Sequence, residues 1–142
     1  MIVVTGGAGF IGSAIVWKLN QLGKKNIIIV DELGKDEKWK NLVGLRYEDF
    51  VNKLEFIEQI LDDVIPYNVE AIIHMGANSS TTEKYADHLL DNNYHYTKEL
   101  AKFCVEKNVR FIYASSAATY GDGSLGFDDD ESKLETLRPL NM

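Results

Sequence analysis

Basic residues are scarce in this chain: 15 Lys and Arg stand against 22 Asp and Glu, a formal net charge of −7. A surface that binds nucleic acid needs a cationic face to replace phosphate counterions, so the balance speaks against that class of partner. It leaves open a phosphate held by backbone dipoles, which an acidic protein can also supply. Cysteine is nearly absent. Cys104 stands alone, which excludes an internal disulfide and any cysteine-rich metal site, and no metal is expected. No apolar run approaches the roughly 20 residues that a membrane helix needs. Met1-Ile2-Val3-Val4 shows neither a basic leader nor a cleavage site, so the reading at this level is a cytoplasmic protein with no membrane partner.

What the chain does have is a rhythm. At 142 residues and 45% hydrophobic content it can bury a core as one domain. Short apolar runs alternate with longer amphipathic stretches, the pattern of a parallel sheet with crossover helices. Strands are predicted at Ile2 to Thr5, Ile27 to Val30, Val69 to His74 and Val109 to Ala114. Helices are predicted from Gly9 to Leu22, over the stripe Leu54, Ile57, Ile60, Leu61 and Val64, and from Tyr85 to Lys107. The last carries Asn93, Thr97, Leu100 and Cys104 along one face. Residues 32–50 read mostly as loop with room for a short helix or strand. Beyond Gly121 the run Asp128-Asp129-Asp130-Glu131 reads as a mobile polar segment. There is no internal repeat. The predicted class is α/β, a Rossmann-type doubly wound parallel sheet.

The strongest local signal is Thr5-Gly6-Gly7-Ala8-Gly9-Phe10-Ile11-Gly12, which follows a strand and opens a helix. Gly6 permits the tight turn, Gly9 lets the backbone approach a pyrophosphate, and Gly12 lets the helix pack closely. The pyrophosphate would sit on unpaired N–H groups at the positive end of the helix dipole. The competing reading, a turn that only joins strand to helix, is weaker because strand, turn and helix all fit. Asp31 closes the second strand, the position from which a carboxylate reaches an adenosine ribose. An acid there favours NAD, since it would repel a 2′-phosphate. Lys35, Lys38, Lys40 and Lys53 are the residues able to reverse that repulsion, although each singly reads as a surface charge. NADP and NAD both stay open on these residues alone.

Two more polar stretches fall beyond strand ends, where open parallel sheets bind ligands. His74-Met75-Gly76-Ala77-Asn78-Ser79-Ser80-Thr81-Thr82 offers a small profile beneath a cofactor and then hydroxyls. His74 itself reads as a packed strand-end residue rather than a catalyst. Ala114-Ser115-Ser116-Ala117-Ala118-Thr119-Tyr120-Gly121 follows the next strand. A serine there can hydrogen-bond a substrate hydroxyl and help a tyrosine take its proton. No nearby histidine supports a serine nucleophile, which disfavours hydrolase chemistry. Asp62-Asp63 and the Asp128 run read as solvated surface rather than a paired-carboxylate site.

The Gly-x-x-Gly-x-x-Gly spacing resembles the extended branch of the short-chain dehydrogenase/reductase superfamily. Taken with Asn41-Leu42-Val43, Glu70-Ala71-Ile72, Ser79-Ser80-Thr81-Thr82-Glu83, Asp91-Asn92-Asn93-Tyr94 and Tyr113 to Gly121, the chain resembles the ADP-L-glycero-D-manno-heptose 6-epimerase family. Only residues 122–136, an insertion-like stretch, stand apart. Met75 departs from the acidic residue usual in that family. The resemblance implies a nucleotide-linked heptose substrate of lipopolysaccharide core synthesis, epimerised at its sixth carbon by transient oxidation and re-reduction with NADP. It implies a cofactor site of Gly6, Gly9, Phe10, Ile11, Gly12, Asp31, Glu32, Lys38, Lys53, Met75, Gly76, Ala77, Asn78, Ser79 and Asn92. Ser116 would be the active-site serine, and the assembly a homo-oligomer.

The superfamily's Tyr-x-x-x-Lys has no match where it is needed. Ala117 and Ser124 stand four residues after Tyr113 and Tyr120, and Tyr94 with Lys98 lies within a helix before the serine. In the family Pro139-Leu140-Asn141 would lead into that segment. The expectation is therefore a truncated NAD(P)-binding Rossmann domain over residues 1–142, without the substrate domain and inactive by itself. Two alternatives remain: another extended short-chain nucleotide-sugar epimerase or dehydratase, and a non-catalytic dinucleotide-binding module.

Overall fold

The three strands whose only polar residue is their last lie side by side in the sheet. A computed structural model describes residues 1–80 and 82–139. It contains strands β1 (Ile2–Thr5), β2 (Ile27–Asp31), β3 (Asp49–Asn52), β4 (Ala71–His74) and β5 (Arg110–Tyr113). All pair in parallel in the order β3-β2-β1-β4-β5. The helices are α1 (Phe10–Gln21), α2 (Lys53–Leu61), α3 (Ala86–Leu89) and α4 (Tyr96–Glu106). Val3, Val4 and Ile27 to Val30 are fully buried, because a central parallel strand is covered on both faces. Period-two alternation sends them to opposite sides. Val3, Ile28 and Val30 pack with Phe56 and Ile60 of α2 and Leu100 and Phe103 of α4. Val4, Ile27 and Ile29 pack with Val16 of α1 and with Leu42. These are the two helical layers of a doubly wound fold, as expected.

Several boundaries differ, each for a physical reason. Residues 32–50 resolve into a 3-10 turn at Lys38–Leu42 and the start of edge strand β3. Only Val51 of β3 is buried, so its sequence lacks an apolar run. Asn52 caps α2, its side chain accepting from the Leu54 N–H at 2.9 Å. The long helix is interrupted: a π-turn at Leu90–His95 separates α3 from α4. Cys104 is buried in the α4 core, and desolvation pushes its thiol up to about 11. The acidic segment holds a 3-10 helix at Glu131–Thr136, capped by Asp130. It leaves and rejoins the fold at one place, with the Arg138 carbonyl against Gly121. Thr81 of the serine-threonine motif, and Leu140 and Asn141 near the end, lie outside the described residues. Among the described residues no helix is long and apolar enough to cross a membrane.

Candidate functional site

The sheet order reverses at β1: β2 and β3 lie on one side, β4 and β5 on the other. Outside the carboxyl ends of strands at such a reversal lies the crevice where open α/β sheets take ligands. The register aligns Thr5 with Val30 and with His74, and His74 with Tyr113. A cleft of about 1110 Å³ opens beyond that row. It is lined by all the residues proposed from sequence for the cofactor: Gly6, Gly9, Phe10, Ile11, Gly12, Asp31, Glu32, Lys38, Lys53, Met75, Gly76, Ala77, Asn78, Ser79 and Asn92. Ser116 lines it too. Thr5, His88, Asn93, Tyr96, Thr97, Tyr113 and Ser115 join them, although the sequence motifs do not assign these to the cofactor. Asn93 and Thr97 could have been found: they are the polar head of the otherwise apolar stripe ending in Leu100 and Cys104.

The glycines of the first turn divide into two kinds. Gly6 has φ +65°, and a Cβ there would lie 2.8 Å from the Gly76 nitrogen, so the fold itself demands glycine. A Cβ on Gly12 would stand 2.1 Å from the Gly6 carbonyl oxygen. Its close packing is thus against the turn rather than against the strands. Gly9 differs. Its backbone is extended, φ −72° and ψ 173°, and a Cβ would meet only the Gly6 oxygen, at 3.1 Å. Gly9 N-caps α1 with no side-chain hydrogen bond, and no acidic residue occupies the first turn. Phe10 and Ile11 project outward, 87% and 62% exposed. The chain therefore leaves an uncapped helix N-terminus open to the cleft.

Beside the turn sit two carboxylates and two ammonium groups. The Asp31 carboxylate accepts from Ala8 N–H at 2.9 Å, from Glu32 N–H at 2.7 Å and from Lys38 Nζ at 2.8 Å. It thereby ties β2 to the Gly-rich turn. Glu32 pairs with Lys53 at 2.7 Å, and that hydrogen bond and charge hold its carboxyl below the usual range. Lys53 Nζ also donates to Asn92 at 3.1 Å, while the Tyr96 hydroxyl donates to the Lys53 carbonyl. Lys35 and Lys40 do not line the cleft; Lys40 pairs with Glu37 instead.

His74 is buried, as expected of a packed strand end, and desolvation depresses its pKa to about 4. Its ring stacks between Tyr96 and Phe111. Its nitrogens meet the hydroxyls of Thr5, at 2.5 Å, and Thr97, at 2.9 Å. The loop after β4 is pinned twice. The Gly76 N–H donates to Thr5 Oγ1 at 3.2 Å, and Asn93 exchanges two bonds with the Asn78 backbone, at 2.8 and 2.9 Å.

With this geometry in hand, comparison with known proteins decides the family. The profile of the NAD dependent epimerase/dehydratase family matches residues 2–142. The chain belongs to that family. Among curated relatives, the ADP-L-glycero-D-manno-heptose-6-epimerase of Nitratidesulfovibrio vulgaris (strain DP4) is 56% identical over 142 residues, covering 100% of this chain and 44% of that protein. The Fusobacterium nucleatum protein of the same name is 56% identical over 143 residues, covering 99% of this chain and 43% of its own length. The chain thus spans less than half the length of these relatives. Among solved structures, the Helicobacter pylori ADP-L-glycero-D-manno-heptose-6-epimerase superposes with a TM-score of 0.75 at 24% identity, over 92% of this chain and 43% of that one.

Ser116 caps the short helix Ala117–Tyr120, its oxygen accepting from the Ala118 N–H at 3.2 Å. That bond leaves its hydroxyl hydrogen available to a ligand. Tyr113 lines the cleft and is exposed. Tyr94 is turned to solvent in the π-turn, with Lys98 over its ring at 5.7 Å. The Tyr96 hydroxyl is buried and desolvation raises its pKa, which makes it a donor rather than a base.

Proposed function

We propose that this cleft binds NADP, and that the chain is the cofactor-binding part of an ADP-L-glycero-D-manno-heptose 6-epimerase acting in lipopolysaccharide core synthesis. The observation that carries the reading is Gly9. A Cβ there would press on a single atom, the Gly6 oxygen at 3.1 Å, against the much closer backbone contacts at Gly6 and Gly12, and the position is glycine at an uncapped helix N-terminus facing the cleft. A pyrophosphate resting on those N–H groups accounts for both features. The residues fit the rest of such a cofactor as well. Gly76 and Ala77 would offer a small floor beneath such a cofactor, and Asp31 and Glu32, on the far side of the Gly-rich turn, would border a ribose.

The choice of NADP over NAD rests on charge. Asp31 alone would repel a 2′-phosphate, but it is paired with Lys38, and Glu32 is paired with Lys53. The cluster is neutral rather than doubly negative, and either ammonium can swing to a phosphate as the better hydrogen-bonding anion. A dinucleotide held by these residues would supply the reversible hydride acceptance that epimerisation at the sixth carbon of the heptose requires. Ser116 would orient the reacting hydroxyl by hydrogen bonding. An unassisted serine cannot accept that hydroxyl's proton at neutral pH, and positioned general bases are worth roughly 10²–10⁴-fold in rate. Epimerisation by these 142 residues alone is therefore expected to be negligible. Cytoplasmic action, a nucleotide-sugar partner and assembly as a homo-oligomer complete the proposal on family resemblance.

The same gap favours a second reading, a dinucleotide-binding module without catalysis. A coupled assay on ADP-heptose with NADP⁺ separates the two. This chain and a polypeptide continued to the relatives' length are compared. Turnover by the longer protein alone supports the epimerase; none from either supports the module. Equal turnover by both would overturn the purely orienting role of Ser116.

A further inference from the structure

The two hydroxyls on His74 belong to a longer path whose ends are both of fixed polarity. At one end the Gly76 N–H, which only donates, reaches Thr5 Oγ1. At the other the Asn93 carbonyl, which only accepts, takes the Thr97 hydroxyl hydrogen at 2.7 Å. Thr97 has then spent its one proton, so it must accept from His74 Nε2–H. The imidazole, buried and neutral, has a bare Nδ1, which accepts from Thr5. Every proton on the path is assigned, and Tyr96 and Phe111 hold the ring's faces. The two ends then meet again on one loop, because the Asn93 side chain clamps Asn78, two residues beyond Gly76.

The geometry points to Thr5, His74, Thr97 and Asn93 as a closed hydrogen-bonded brace that holds the loop after β4, beyond its backbone ties, in place against the Gly-rich turn, the two walls of the cleft. These are positioning residues, and the inference rests on the dinucleotide reading of that cleft. The brace adds side-chain bonds to two backbone ties between the walls: Met75 N–H donates to the Thr5 carbonyl at 3.1 Å, and Gly6 and Gly76 touch with no room for a Cβ. The π-turn at Leu90–His95 is part of the device. It carries the adjacent Asn92 and Asn93, which both line the cleft, one bonded to Lys53 and one to Asn78.

The test combines a spectrum and two variant pairs in the 142-residue chain. Long-range ¹⁵N–¹H correlation in the unaltered protein should show His74 protonated on Nε2 and bare on Nδ1 at neutral pH. The opposite tautomer, or averaging between the two, overturns the brace. Thr97→Val should weaken NADP⁺ and NAD⁺ alike by about tenfold, the effect of one lost buried hydrogen bond. Thr97→Ser should restore affinity to within about twofold. Thr5→Val and Thr5→Ser repeat the comparison from the other side, should either valine variant fail to fold. A valine variant that melts earlier yet binds both cofactors with unchanged affinity well below its melting point would show a structural role only, and would overturn the proposal. If the unaltered chain binds neither cofactor, the dinucleotide reading fails and the positioning role with it, a result distinct from a brace that binds but does not position.

Discussion

Replacing Gly9 by valine separates what the turn needs for folding from what it needs for a ligand. The backbone at Gly9 is in the extended region any residue adopts, and a Cβ meets only one oxygen, at 3.1 Å. Losing glycine at a helix N-cap that makes no side-chain hydrogen bond, with the Gly6 oxygen yielding slightly to the new Cβ, should cost about 1 kcal/mol of stability. The ligand would suffer far more. A branched side chain over the open N–H groups removes at least two charge-assisted hydrogen bonds to pyrophosphate, each worth about 1.5–3 kcal/mol. The expected loss is about 3 kcal/mol or more, on the order of a hundredfold in Kd. Gly12→Ala is the control of opposite sense. Its Cβ would sit 2.1 Å from the Gly6 oxygen, so overpacking should cost about 1–3 kcal/mol of stability and loosen the turn. Calorimetric titration with NADP⁺, alongside thermal melting, reads both quantities. Undiminished affinity in Gly9→Val, or destabilisation equal to that of Gly12→Ala, would refute the reasoning.

Three further outcomes follow from the charges around the cleft and the cap beneath it. Lys38→Glu should weaken NADP⁺ by at least about tenfold more than NAD⁺; equal losses in parallel titrations would remove Lys38 from any 2′-phosphate site. His74 titrates near 4 when folded, against 6.5 for a solvated histidine, so the unfolded chain binds the proton first. Stability should therefore fall as pH drops from about 6.5 towards about 4, by up to about 3 kcal/mol from this residue. Urea unfolding across that window should show His74→Gln losing that part of the slope. Asn52→Ala removes the α2 cap and should cost about 1 kcal/mol, read as a lower urea midpoint with cofactor affinity almost unchanged.

The central strands were legible because burial on both faces writes itself as unbroken runs such as Ile27 to Val30. Edge strand β3 was not, since only Val51 of its four residues faces the core and its neighbours read as loop. The cleft residues were legible for a related reason: in a parallel sheet every strand delivers its last residue to the same edge, so Thr5, Asp31 and His74 were bound to meet. Met75 to Ser79 follow from that placement. Lys38, Lys53 and Asn92 do not; they lie on a turn and two helices. Charge alone offered Lys38 and Lys53 beside Lys35 and Lys40 without choosing among them, and family resemblance singled them out together with Asn92. The brace was hidden for a different reason. It joins Thr5 to His74 and His74 to Thr97 through single hydroxyls, and no periodicity records where a hydroxyl points. The π-turn was equally invisible, because Leu90 to His95 carry ordinary helix formers and polar residues and no glycine or proline. Gly12 was rightly placed as a close-packing residue, although its neighbour is the turn and not the sheet.

The claim on which everything else stands is that a dinucleotide lies across the carboxyl ends of β1, β2 and β4. Mapping backbone amide shifts of the ¹⁵N-labelled chain during titration with NADP⁺ tests it most directly. The account predicts saturable changes concentrated at Gly6 to Gly12, at Asp31, Glu32 and Lys38, and at Gly76 to Ser79, with the Phe10 and Ile11 amides among the most affected. Saturable changes centred elsewhere, for example on the apolar groove of Leu33, Trp39, Leu42, Val43, Tyr47 and Phe50, would contradict it, as would no saturable change with either NADP⁺ or NAD⁺.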